Sequence, residues 1–255
     1  MPLFDTHAHY DSTRFDADRD AVLSALPAAG VELVVDPGCD IPSSRAAVEL
    51  SRRFPHVRAA VGLHPGDCAG AGDAEFAELR RLCAEPGVVA VGEIGLDYYW
   101  KENPPKEFQQ MIFRRQLELS MELKLPVIVH DREAHGDCMT IVREYPEARG
   151  VFHCFSGSAE MASELVRRGW YLGFDGPVTY PNARRAAEVV AVTPLERIVV
   201  ETDSPYLSPV PNRGKRNDSR NLPYIIQKLA EWKGVSVEEM SRATWDNGKR
   251  LYGIP

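Results

Sequence analysis

The stretch FDTHAHYD, Phe4 to Asp11, sets His7 and His9 two residues apart between acids. Neutral imidazoles and carboxylates bind divalent transition metals, so the motif reads either as half of a metal centre or as polar residues near a terminus. The same residue types recur along the chain as His64, Glu93, His130, His153 and Asp203, with Asp36 and Asp175 between them. Of seven histidines, only His56 and His135 stand outside this series. A lone histidine at a strand end is commonly a cap or a surface residue, but so regular a series is hard to reach by scatter. His7, His9, His130 and His153 supply four imidazoles, and Glu93 and Asp203 supply two carboxylates. Six ligands exceed what one tetrahedral zinc with an open position needs. They suit two divalent ions (Zn, Mn, Mg, Co or Fe), and two ions roughly 3.5–4 Å apart can activate a water and stabilise a leaving oxygen. Asp36 and Asp175 read more simply as loop caps or supporting carboxylates. His64 suits either contact with a substrate phosphate or orientation of a ligand.

Elements that would bring these residues together are legible. Short β-rich runs cover residues 3–7, 31–36, 57–64, 88–94, 126–130, 150–153, 170–175 and 197–203, and each carries one of the ionisable residues above at or next to its last position. Helical patterns fill the gaps at 18–29, 43–54, 73–84, 105–123, 135–145, 159–168 and 182–192, with two more at 222–232 and 236–252. Phe108, Ile112, Leu119 and Leu123 fall near one helical face. Ser236 and Glu239 form a candidate capping box. Eight βα units without a composition break predict an α/β fold, a single-domain (β/α)₈ TIM barrel over residues 1–255. A doubly wound open sheet is the alternative. In a barrel all strand C-termini share the face on which active sites are built. Strand alternation puts His7 and His9 on one side, aligns Val89, Val91 and Glu93, pairs Ile128 with His130, and aligns Val199, Glu201 and Asp203.

Composition narrows the function. Hydrophobic content of 44% and charged content of 26% are ordinary for a soluble globular protein. A net charge of −7 argues against nucleic acid held on a broad basic face, although bound cations can supply positive charge at a phosphate site. Five cysteines without a CxxC pair predict no disulfide framework and a cytoplasmic protein. The opening MPLFDTHAHYD has neither the basic nor the apolar region of a signal peptide. No apolar run reaches the ~20 residues of a membrane span, so no membrane association is expected, nor an obligate protein partner. The loop PNRGKRNDSR carries Arg213, Lys215, Arg216 and Arg220 just after the last strand. It could hold substrate phosphates or be a solvated loop paired with acids. Tyr98, Tyr99 and Trp100 could stack bases or cover the barrel rim. Arg132, two residues past His130, is a further candidate substrate contact. Cys154 follows His153 but would point the opposite way, which disfavours a dyad. Ser204 lacks a GxSxG elbow, and no GxxxxGK[ST] loop is present.

The ordered motifs DTHAHYD, VGLHP, VGEIGLDYYW, PVIVHDREA, FHCFSG, ETDSPYLSP, RGKRND and TWDNGKRLYG span nearly the whole chain and resemble the TatD family of metal-dependent hydrolases. The resemblance implies that His7 and His9 bind one metal, that His130 and His153 bind a second, and that Glu93 is shared by both. It implies that Asp203 binds the first metal and takes a proton from the attacking water. It also implies a deoxyribonuclease or phosphodiesterase activity on single-stranded DNA, 3′-5′ trimming included, or on a small phosphoester. A carboxylic ester or amide, such as an aminoacyl-tRNA ester or a lactone, is the alternative substrate. Many relatives carry a histidine after His64-Pro65, where this chain has Gly66.

Overall fold

The computed structural model describes residues 1–255. Its elements are β1 (Leu3–Asp5), α1 (Arg19–Ala25), β2 (Val31–Pro37), α2 (Ile41–Arg53), β3 (Val57–Val61), α3 (Asp73–Cys83), β4 (Val88–Asp97) and α4 (Lys106–Leu123). There follow β5 (Val127–Arg132), α5 (His135–Glu144), β6 (Gly150–Phe152), α6 (Ala159–Arg167), β7 (Tyr171–Phe174), α7 (Arg184–Val192), β8 (Ile198–Val200), α8 (Leu222–Lys233) and α9 (Val237–Tyr252). The eight strands lie in the sheet in sequence order, and with their alternating helices they form the expected (β/α)₈ barrel class. No helix is long and apolar enough to cross a membrane. By contact density the chain divides into two compact units, one of Met1–Asp36 with Cys154–Pro255 and one of Pro37–His153.

The first unit contains β7, β8, β1 and β2. Parallel ladders join β7 to β8 and β1 to β2. The Thr6 N–H donates to the Val200 carbonyl at 3.1 Å and the Asp203 N–H to the His7 carbonyl at 3.0 Å, so β8 runs beside β1. Helix α9 fastens this seam. The Phe4 ring lies 6.1 Å from that of Trp245 and 5.9 Å from that of Tyr252. The Tyr252 hydroxyl donates to the Thr6 carbonyl at 2.9 Å, and Asn247 Nδ2 donates to the Ile198 carbonyl at 2.7 Å. Gly248 permits this approach, because a Cβ there would stand 2.5 Å from Phe4 Cδ1.

In the second unit β3, β4, β5 and β6 form consecutive parallel pairs. Val48, Val61, Leu79, Leu82, Ile112 and Leu119 pack into one buried cluster beneath α2, α3 and α4, each side chain contributing about 1.5–3 kcal/mol by leaving water. Phe108 and Leu123 pack against the same cluster, so the expected face of α4 is the buried one. The Gln116 amide clamps the end of β3, accepting from the Leu63 N–H at 2.8 Å and donating to the Leu63 carbonyl at 3.0 Å.

Several boundaries differ from expectation. Strands β1, β3 and β8 stop at Asp5, Val61 and Val200, short of His7, His64 and Asp203, whereas β4 runs on to Asp97 and β5 to Arg132. Past Val61 the chain leaves the ladder, and the His64 N–H donates to the Cys39 carbonyl at 2.7 Å. The helix expected over 18–29 breaks into α1 and a 3₁₀ turn at Pro27–Ala29, since Pro27 has no N–H to continue the α-helical ladder. At α9, Ser236 Oγ accepts from the Glu239 N–H at 3.1 Å, the forward half of the expected capping box.

Candidate metal centres

In the first unit His7 and His9 lie just past β1, and their Nε2 atoms approach to 3.0 Å. Asp203 Oδ1 stands 3.6 Å from His7 Nε2 and 3.5 Å from His9 Nε2. Side-chain alternation therefore persists beyond the last ladder pair, carried by the parallel bridge between Ala8 and Ser204. Ligand bonds of about 2.0–2.2 Å place neighbouring ligand atoms roughly 3.0–3.5 Å apart, and these three atoms meet that spacing. His7 is fully buried, which excludes bulk water from one side of the cluster. Asp203 takes a left-handed backbone conformation, φ +54°, which turns its carboxylate off the line of β8.

Behind this cluster lie two acids. Asp11 Oδ1 is 3.9 Å from His9 Nδ1. Burial raises the pKa of Asp11, and burial together with the neighbouring Asp11 pushes that of Asp36 well above the carboxylate range. Asp36 is fully buried beside Asp11, at the back of the cluster. Asp5 is also buried and pushed up to about 7 by its burial, while Thr202 donates to it through Oγ1 at 2.6 Å and N–H at 2.9 Å. Glu201 does not extend the line toward Asp203. Its Oε1 accepts from the Cys154 N–H at 2.6 Å, and Gly173 leaves the space for it. Asp175 is buried after β7 and, with its burial, holds the neighbouring Cys154 thiol well above its ordinary pKa. A raised pKa disfavours the thiolate and so a nucleophilic role for Cys154.

In the second unit Glu93 Oε1 lies 2.7 Å from His130 Nδ1 and 2.9 Å from His153 Nε2, and the two imidazole nitrogens are 3.4 Å apart. Glu93 comes from the middle of β4, His130 from β5, and His153 from the residue after β6. One carboxylate oxygen and two imidazole nitrogens again converge; the two Glu93 contacts are of hydrogen-bond length and would open slightly around a divalent cation. Burial alone would lower the His130 pKa, but hydrogen bonds to Asp97 and Glu93 outweigh it and raise it. His64 joins this group from the side. Its ring centroid lies 4.5 Å from that of His130, and its Nε2 lies 3.8 Å from Glu93 Oε1. The Gly66 N–H donates to His64 Nδ1 at 3.0 Å, so the neutral ring carries its hydrogen on Nε2 and offers a donor there.

The expected substrate contacts are placed as follows. Arg132 stacks over Tyr99, its guanidinium 4.0 Å from the ring centroid, with Trp100 at 5.4 Å. Tyr99 and Trp100 are exposed. Tyr98 instead turns inward, donating to Asp137 Oδ2 at 2.9 Å with Lys106 4.2 Å over its ring. In the basic loop Arg216 makes a two-pronged pair with Asp18 at 2.7 and 2.6 Å, and Arg220 pairs with Asp218. Arg213 lies over Tyr180, 4.4 Å from its centroid, and Lys215 is exposed. Asp97 was not anticipated as a site residue. Its Oδ2 stands 3.1 Å from His130 Nε2, and the signal that could have found it is its four-residue offset from Glu93, an even step along one strand face.

Comparisons with known proteins agree with this arrangement. The family model described as TatD related DNase matches residues 4–253. An uncharacterized metal-dependent hydrolase of Bacillus subtilis is 41% identical over 254 residues, covering 99% of each chain. A protein of Escherichia fergusonii named 3′-5′ ssDNA/RNA exonuclease TatD is 35% identical over 262 residues, covering 99% of each. The crystal structure of a TatD homologue from Escherichia coli K12 superposes with a TM-score of 0.92 at 31% identity, covering 99% of this chain and 98% of that one. With two acid–imidazole clusters built from the ordered motifs, the chain belongs to the TatD-related DNase family of metal-dependent hydrolases.

Proposed function

We propose that the protein hydrolyses phosphodiester bonds of single-stranded DNA, from the 3′ end, with two divalent ions held by His7, His9 and Asp203 and by Glu93, His130 and His153. The observation that carries this reading is the convergence of each triad's ligand atoms, at 3.0–3.6 Å in one and 2.7–3.4 Å in the other. A relative bearing the name of a 3′-5′ ssDNA/RNA exonuclease supports the substrate class. Bound divalent ions would supply Lewis-acid polarisation and bring the pKa of a water toward neutrality.

The chain's own groups supply the rest. Asp203 accepts the proton of the attacking water, the role of a general base. Glu93 holds charge at the second triad. His64 presents its Nε2–H as a donor to a non-bridging phosphate oxygen. Arg132, Arg213 and Lys215 neutralise neighbouring phosphates, and Tyr99 with Trp100 offers faces on which bases stack. Tyr98 and Arg216 act through the residues they hold, Asp137 and Asp18. Five free cysteines support a reducing compartment, the cytoplasm.

The test is metal stripping with a chelator, then add-back of Mn²⁺, Mg²⁺, Co²⁺, Zn²⁺ or Fe²⁺ and assay of a 5′-labelled single strand beside a panel of carboxylic esters and lactones. Shortening of the strand only with metal restored is the expected result. Metal-restored ester or lactone cleavage with the strand intact would replace the substrate assignment.

A further inference from the structure

Asp97 ends β4 with a buried side chain, and both of its oxygens are engaged. Oδ1 accepts from the Tyr99 N–H at 2.9 Å and the Trp100 N–H at 3.4 Å. Oδ2 faces His130 Nε2 at 3.1 Å. Its backbone is clamped as well. The Asp97 N–H donates to Gln109 Oε1 at 2.9 Å, and its carbonyl accepts from Gln109 Nε2 at 3.0 Å and Asn103 Nδ2 at 3.2 Å. A carboxylate so held cannot swing away from the imidazole.

Both ring nitrogens of His130 face a carboxylate oxygen, Nε2 at 3.1 Å from Asp97 Oδ2 and Nδ1 at 2.7 Å from Glu93 Oε1, and the neutral ring has one hydrogen for the two. A cation held with Glu93 and His153 would take the hydrogen's place at Nδ1 and leave the hydrogen on Nε2, against Asp97. We propose that Asp97 is a positioning residue that locks His130 in its Nε2–H tautomer and so presents Nδ1 to the cation shared with Glu93 and His153. The inference rests on reading that triad as a metal site. Histidine ligands ordinarily donate their second N–H to such a carboxylate, and loss of that partner costs 10- to 100-fold in metal affinity. A rival assignment is open to the same atoms, because ligand atoms of His64, Asp97 and His130 also converge. A cation placed there would bind His130 through Nε2 and would require the opposite tautomer.

The Asp97→Asn substitution separates these. Its amide oxygen remains in demand from the Tyr99 and Trp100 N–H groups, so its NH₂ must face His130 Nε2. That donor strips Nε2 of its hydrogen and moves it to Nδ1, against Glu93. The experiment uses the full chain labelled with ¹⁵N-histidine and loaded with Zn²⁺, long-range ¹H–¹⁵N correlation spectra, and zinc competition against a chromophoric chelator. In the wild type His130 is expected to show a pyrrole-like Nε2 and a zinc-shifted Nδ1. Asp97→Asn is expected to bind zinc at the second site about 10- to 100-fold more weakly. The wild-type spectrum needs no variant, so a folding defect cannot hide the answer. Zinc-bound Nε2 in the wild type, or unchanged affinity and tautomer in Asp97→Asn, overturns the proposal while leaving the metal site standing. Unchanged zinc stoichiometry in His130→Ala overturns the metal reading itself, and the proposal with it.

Discussion

Three non-glycine residues with left-handed backbone lie within three residues of a strand end: Glu133 at φ +56°, Cys154 at +42° and Asp203 at +54°. Such conformations cost about 1–3 kcal/mol each and persist where the surroundings over-determine them. At Asp203 the strain turns a carboxylate toward two imidazoles. Asparagine tolerates the same backbone region, so Asp203→Asn is expected to fold normally yet lose about 10²- to 10⁴-fold in metal-restored hydrolysis, as read by single-turnover strand cleavage. Unimpaired turnover would remove Asp203 as the base. The grouping of His7 and His9 with Asp203, and of Glu93 with His130 and His153, was legible because residue type and place agreed: histidines and acids interrupted apolar runs at regular intervals. Asp97 was not, since it lies beyond the point at which β4 was expected to end. The partner of Arg216 was equally hidden, because Asp18 is remote in sequence and nothing local marks the pair.

Packing of elements sets a second group of expectations. Gly248 lets α9 settle on Phe4, and any larger residue must displace that ring. Gly248→Leu is expected to lower stability by about 1–3 kcal/mol through overpacking, measured as a shift in the urea midpoint. On the outer surface Glu78 of α3 bridges Arg81 of its own helix and Arg45 of α2. Hydrogen bonds from Arg81 and then Arg45 lower its pKa to about 2. A depressed carboxylate stabilises the fold above its unfolded pKa, and that support is lost as pH falls toward about 2. The stability difference between wild type and Glu78→Gln is therefore expected to be small at pH 6 and to shrink toward zero as pH falls through about 2. A difference that grows on acidification would contradict the bridge. The order of helices and strands was readable from period and punctuation, but the ends of β1, β3 and β8 were not. Apolar alternation continues past the point where the ladder stops, since side chains still turn inward after the backbone pairs are gone.

For the molecule as a whole, ligand binding must show as stability. If the clusters take divalent ions, metal at about 100 times its dissociation constant adds about 2.7 kcal/mol, which for a chain of this length raises the melting temperature by roughly 5–10 °C. A calorimetric scan of chelated against Mn²⁺- or Zn²⁺-loaded protein reads this directly, and coincident melts would sink both metal triads at once. The barrel class was legible from eight repeating βα units. The division into two compact units was not, because a unit boundary at Pro37 and His153 is a matter of contact density and leaves no mark on composition. The seam fastened by α9 bears on how the protein is made. Tyr252 reaches back to the Thr6 carbonyl, and His7 finds Asp203 nearly two hundred residues downstream. During synthesis the first triad therefore cannot assemble when its histidines leave the ribosome. They must wait for Asp203, nearly two hundred residues later, and the clamp on the Thr6 carbonyl closes only once Tyr252 has followed.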